Sequence, residues 1–263
     1  MGSILEVRRL TKRFGGLTAV AGLDFNLGDG EILGLIGPNG AGKTTTFNII
    51  AGTHAADQGE IRFAGESILG LPPHQIARRG LMRTFQHNRP FGGMPVLENV
   101  MVGAHRQFDR NLFRVLTGRG VEQEQKQRRR AEELIEFVGL AGLRDADVGT
   151  LSFGQGRLLE IARALAGEPR AILFDEPAAG LTPAELDRLA GIIKGIAGRG
   201  IAVLLIEHDM RFLLPLAERV VVLNFGRKIA DGTPDEISGN PAVVEAYLGE
   251  TTSFAAGAEA AGA

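Results

Sequence analysis

The run Gly37-Pro38-Asn39-Gly40-Ala41-Gly42-Lys43-Thr44 has the spacing G-x-x-x-x-G-K-[ST], which suits a loop that cradles phosphates. Glycines let successive backbone N–H groups converge on one anion, and a helix opening behind them adds the positive end of its dipole. Lys43 is placed to reach β- and γ-phosphates, and the Thr44 hydroxyl to ligate Mg²⁺. Asn39, Gly40, Ala41, Gly42 and Thr45 complete the expected cradle. An ordinary glycine-rich turn would explain neither Lys43 nor Thr44. A second group is Ile172-Leu173-Phe174-Asp175-Glu176, an apolar run ending in two carboxylates. Beside a phosphate loop, Asp175 can hold Mg²⁺ through water and Glu176 can polarise an attacking water. Adjacent carboxylates at a strand's C-terminal end fall where open α/β sheets bind ligands.

These residues need a strand before each cluster and a helix behind the loop. Glu31–Ile36 reads as the strand leading into the loop and Thr44–Ala51 as the helix after it. Further strand-like runs are Leu5–Leu10, Ala171–Phe174, Ala202–Ile206 and Val220–Leu223, the last three apolar throughout and so covered on both faces. Thr182-Pro183-Ala184-Glu185 is a capping box with proline at the first helical position, and Leu186, Leu189, Ile192, Ile193 and Ile196 give the helix an apolar face. Strand–helix alternation predicts an α/β fold with a largely parallel sheet. From about Gln86 to Leu151 strand signals vanish; Val121–Val138 is helical in pattern, with Ala131, Leu134, Ile135 and Val138 as its buried stripe. Its basic run (Lys126, Arg128, Arg129, Arg130) reads as a solvated face neutralised by Glu122, Glu124, Glu132, Glu133 and Glu136, not as a nucleic-acid patch.

Composition narrows the partners. The 263 residues carry a formal net charge of −2 and no cysteine, so neither a global basic field nor a disulfide or Cys-based zinc framework is expected. Hydrophobic residues make up 44%, enough for a substantial core. The apolar runs fall well short of the ~20 residues that span a bilayer, and the charged N-terminus does not read as a signal peptide. Ser253–Ala263 is Ala/Gly/Glu-rich and expected to be a disordered tail.

Three more segments carry a resemblance. Leu151-Ser152-Phe153-Gly154-Gln155, ahead of a helix Gly156–Ala166, resembles the LSGGQ signature of the ABC ATPases. Gln86 in Arg83-Thr84-Phe85-Gln86 stands where that family has its Q-loop, and His208 in Ile206-Glu207-His208-Asp209 where it has its switch histidine. Phe14 matches the aromatic that stacks on adenine, with Val20 nearby. Phe14-Gly15-Gly16-Leu17-Thr18-Ala19-Val20, Glu176-Pro177-Ala178-Ala179-Gly180-Leu181 and Ala246-Tyr247-Leu248-Gly249-Glu250 look more narrowly like the branched-chain amino acid transport ATPases, of the type usually called the G subunit. Phe153 in place of a signature glycine and Phe14 in place of the commoner tyrosine are departures, and neither removes a phosphate ligand.

The resemblance implies a P-loop NTPase core with an antiparallel β part and an inserted α-helical subdomain, in one ABC ATPase domain over 1–252. The core would take about 1–86 and 152–252, the subdomain about 87–151. It implies ATP and Mg²⁺ as ligands, with Thr44, Gln86 and Asp175 around the metal and Glu176, His208, Lys43 and Gln86 in catalysis. Two such ATPases would pack head to tail, the second a non-identical one, so that Ser152, Gly154 and Gln155 act on the partner's ATP. Partners would be two transmembrane permease subunits and, indirectly, a solute-binding protein, with no nucleic acid. The chain would sit peripherally on the cytoplasmic face of the membrane. Rival readings are an exporter ATPase of the lipopolysaccharide type, an ABC ATPase acting on nucleic acid, and an inactive interaction module. The nucleic-acid machines predict coiled-coil insertions or zinc-binding cysteines, and the inactive module predicts loss of Lys43, Glu176 or His208, none of which is found.

Overall fold

The computed structural model describes residues 2–84, 90–104 and 119–247, excepting the side chains of 119–123. Apolar residues turned to one face, with the period interrupted where the register shifts, build the first sheet. In β1 (Ser3–Phe14) Leu5 and Val7 face inward with Leu10, and in β2 (Leu17–Gly28) Val20, Leu23, Phe25 and Leu27 do the same. These strands pair antiparallel, and β4 (Gln58–Phe63) and β5 (Glu66–Ser67) continue the sheet in the order β2-β1-β4-β5.

Uninterrupted apolar runs build the second. β3 (Ile32–Ile36), β7 (Ala171–Asp175) and β8 (Ala202–Ile206) are buried at all five positions. With β6 (Leu81–Arg83), β9 (Arg219–Asn224) and β10 (Arg227–Gly232) they form a six-stranded sheet in the order β10-β9-β3-β8-β7-β6. Every pairing in it is parallel except β9 with β10. Successive residues alternate between two cores, as the pleat requires. Ile172, Phe174, Val203 and Leu205 join the core beneath the long helices. Leu173, Leu204 and Ile206 join a core with Phe47 and Ile50 of α1 (Lys43–Ile50) and the inner face of the antiparallel sheet.

α2 (Pro73–Arg78) lies between β5 and β6. The helical layer contains α3 (Val96–Gly103), α4 (Arg119–Phe137), α5 (Phe153–Ala166) and α6 (Pro183–Ala197), with α5 packed on both α3 and α4. Short helices α7 (Met210–Leu213) and α8 (Pro234–Ser238) and a helical stretch over 241–247 follow. The expected stripe of α4 is buried as read: Ala131, Leu134, Ile135 and Val138. Its basic run is a solvated face, Arg128 pairing with Glu132 and Arg130 with Glu168. α6 carries the expected capping box, Thr182 with Glu185.

Two expectations are corrected. No strand-like run covers β2, β4, β5, β6 or β10, yet each is a strand paired into a sheet. The helix behind Leu151 starts at Phe153, not Gly156, because Ser152 and Gln155 cap each other. Residues 85–89, 248–250 and 253–263, including Gln86 and the expected tail, lie outside the described residues.

Candidate active site

The parallel sheet brings the chemistry to one edge. Leu35 pairs with Ile206 and Ile206 with Asp175, so the loop after β3, the carboxylates ending β7 and His208 after β8 leave the sheet at one level. β6 ends at the same edge, Arg83 pairing with Leu173. The segment carrying Gln86 starts there in the sequence.

The loop at 37–44 is shaped by close approaches. Gly37 has φ +149° and Gly42 φ +100°, and a Cβ at either would collide with a backbone carbonyl, that of Leu223 or Ala19. The Gly226 N–H donates to Ala41 O (3.0 Å), which closes the β9–β10 turn onto the loop. Lys43 is buried and its ammonium donates to Gly37 O (2.5 Å) and Pro38 O (2.9 Å), which holds the charge inside its own loop. Gly42 caps α1 without any side-chain cap, and no acidic residue sits in the first turn, so the N-terminal positive potential is left for an anion. Asn39, Gly40 and Thr44 are exposed, Thr45 is half-buried and Ala41 is buried.

Asp175 is 1% exposed; its Oδ2 accepts from Arg83 at 2.7 Å, while its Oδ1 is buried without a partner. An orphaned buried carboxylate oxygen beside a phosphate loop suits Mg²⁺ through its water shell. Among the described residues no group of three or more His, Asp or Glu side chains converges on one point. Glu176 turns off the strand at φ +47°, a conformation sparsely used by non-glycine residues, with its N–H donating to Ile206 O at 3.0 Å. His208 is exposed, just beyond the end of β8.

Two charged residues at this edge were given no role from sequence. Arg83 bridges Asp175 and Asn48 of α1, the latter at 2.7 Å. Glu207 is 1% exposed; Oε1 accepts the Ala178 N–H at 2.8 Å and Oε2 has no partner. Burial pushes its carboxyl up to about 7, against the pull of the Ala178 and His208 amides and with added push from Glu176 and Asp209. The available signal was a carboxylate directly after five apolar strand residues.

The signature segment lies at the start of α5. Ser152 accepts from the Gln155 N–H (3.3 Å), and Gln155 Oε1 from the Ser152 N–H (2.9 Å), a reciprocal cap. Gly154 is buried against Glu185, where any Cβ would collide with the carboxylate. Phe153 is exposed, with the Arg157 guanidinium 5.2 Å from its ring centroid.

Phe14 ends β1 as an exposed ring, 46% accessible, with Lys12 Nζ 5.3 Å from its centroid and the His54 ring edge-on. It is not core packing. Val20, expected from sequence near the base, is fully buried in the core between the sheets.

Comparison with known proteins fits this geometry. The ABC transporter family pattern matches residues 20–179, and the pattern described as "Branched-chain amino acid ATP-binding cassette transporter" matches 227–252. The chain is 45% identical over 252 residues to the high-affinity branched-chain amino acid transport ATP-binding protein BraF of Pseudomonas aeruginosa, covering 94% of this chain and 98% of that one. It is 42% identical over 250 residues to LivG of Escherichia coli K12, with the same coverage. A crystal structure of an ATP-binding cassette of an ABC transporter in its ADP conformation superposes with a TM-score of 0.83 at 32% identity, covering 95% of this chain and all of that one. The geometry of the edge and the likeness along almost the whole chain agree: the protein belongs to the ABC transporter ATP-binding family, whose members hydrolyse ATP.

Proposed function

We propose that this ATPase energises uptake of branched-chain amino acids or a related small solute. The observation that carries the solute is the match at 227–252 to the branched-chain family pattern, added to 42–45% identity with proteins so named. That C-terminal match is also what favours import over lipopolysaccharide-type export.

Lys43 and the backbone N–H groups of the loop bind the β- and γ-phosphates, with Phe14 stacked on the base. Mg²⁺, when bound, neutralises phosphate charge, and Thr44 and Asp175 Oδ1 would face its coordination shell. Glu176 orients a water in line with the γ-phosphorus and draws off its proton as the phosphorus–oxygen bond to ADP breaks; His208 steadies the γ-phosphate. Gln86 is assigned by likeness to sensing the metal and γ-phosphate. The chain pairs head to tail with a second, non-identical ATPase, so that Ser152, Gly154 and Gln155 cover the partner's ATP. Two permease subunits supply the membrane path, the chain sits on their cytoplasmic side, and a solute-binding protein delivers cargo. Among the described residues no helix is long and apolar enough to cross a membrane.

The test is uptake by the complex that co-purifies with this chain, reconstituted in vesicles with internal ATP. Labelled leucine, isoleucine or valine should accumulate only with ATP and only with Glu176 intact. ATP-driven transport of a chemically unrelated solute, with none of these three, would sink the solute assignment and leave the ATPase standing.

A further inference from the structure

We infer that Arg83 is a positioning residue for the metal: it holds the Asp175 carboxylate so that one oxygen, Oδ1, faces the Mg²⁺ shell. This rests on Asp175 being the magnesium carboxylate. The guanidinium spends its two terminal nitrogens on different elements, donating to Asn48 Oδ1 on the helix behind the phosphate loop and to Asp175 Oδ2 at the end of β7, each at 2.7 Å. Asp175 is 1% and Arg83 15% exposed at the side chain, so the pair is shielded from water and held by fork geometry that a lysine cannot reproduce. With Oδ2 tied, the carboxylate cannot rotate freely, and Oδ1, buried and without a partner, is the oxygen left to a ligand. The same cation offsets the desolvation of a buried carboxylate, whose removal from water is costly when unpaired. Asn48 fixes the register: it belongs to α1, so metal carboxylate and phosphate helix are braced through one side chain.

The opposite idea, that Arg83 competes with the metal for Asp175, predicts the opposite sign. The experiment measures ADP affinity by calorimetry with and without Mg²⁺ for Arg83→Met, Arg83→Lys and Asn48→Ala, in the full chain. Outer-shell partners typically contribute about 10–100-fold to metal affinity, so Arg83→Met should lose at least about tenfold of the Mg²⁺-dependent gain while metal-free ADP affinity stays put. Arg83→Lys should keep part of it and Asn48→Ala should lose less than Met. If Arg83→Met does not fold, the other two carry the comparison. Equal losses with and without metal, an unchanged metal gain, or a larger one in the folded variants each overturn the inference. Asp175→Asn separates the premises: if it too leaves the metal gain intact, the fault lies with Asp175 as metal carboxylate; if it abolishes the gain while the Arg83 variants keep it, only the role of Arg83 falls.

Discussion

Glu207→Gln isolates one buried charge. The wild-type carboxyl is 1% exposed; Oε1 accepts the Ala178 N–H, the His208 amide also pulls on it, and Oε2 is buried without a partner. Glu176 and Asp209 are the charged groups that push on it, and both are acidic. Its folded-state pKa, about 7, lies above the ordinary 4.5, so the fold favours the protonated form. The sign follows: its contribution is intact below 4.5 and is lost as pH rises through about 7. At 1.36 kcal/mol per pKa unit the loss is capped at about 3 kcal/mol. Glutamine has the shape of the protonated acid and keeps an oxygen for Ala178, so it carries no such loss. Urea unfolding of nucleotide-free protein should give near-equal stabilities at about pH 5, and by about pH 8.5 the variant should be more stable by roughly 2–3 kcal/mol. Every other titration is common to both proteins and cancels in the difference. A difference that stays flat over that range, or that turns against glutamine at high pH, refutes the reasoning.

Glu176→Gln should bind Mg-ATP normally but hydrolyse it at least about a hundredfold more slowly, read as single-turnover phosphate release in the assembled complex. Phe14→Ala should weaken ATP and GTP alike by about 1–3 kcal/mol in calorimetry, because every base offers a π face, whereas Phe14→Tyr should change little. Ser152→Arg should cost the chain about 1 kcal/mol of cap stability and leave its own ATP binding intact. In the reconstituted pair it should silence hydrolysis at the partner's loop; silencing only this chain's loop would mean the signature acts in cis. Gly154 is left alone in that design, since a side chain there runs into Glu185 of the same chain.

The legible parts of this fold were those whose signal is local. Five-residue apolar strands such as Ala202–Ile206 and the Thr182–Glu185 cap announce themselves within a few positions, and the structure has them at those positions. β2 escaped because its apolar residues are diluted by Gly22, Asp24 and Asn26 on the open face and because its pairing with β1 slips at several points. Arg83 and Asp175 are 92 residues apart in sequence, and what joins them is strand order, which no window of sequence contains. The positive φ of Glu176 was equally hidden: nothing in a glutamate predicts a conformation that glycine would fill.

Under the proposed head-to-tail pairing, the signature carries two messages in one short motif. Ser152-Phe153-Gly154-Gln155 is S-x-x-Q, a capping box, and reading it only as a phosphate-covering element put the helix start three residues late. The two roles are compatible in chemical detail. In the cap Ser152 Oγ accepts a hydrogen bond, which leaves its hydroxyl proton to donate to a phosphate oxygen. The cap fixes the Ser152 side chain against the helix start, so the donor is ordered before any partner arrives and less entropy is lost on docking. A residue that caps but cannot donate would therefore keep the helix and lose the partner's phosphate. Ser152→Asp is that residue: its carboxylate still accepts the Gln155 N–H but presents negative charge toward the partner's ATP. Its thermal stability should stay near wild type while the ATP-dependent association of the two ATPases, followed by size-exclusion chromatography, collapses; undiminished association would confine Ser152 to capping alone.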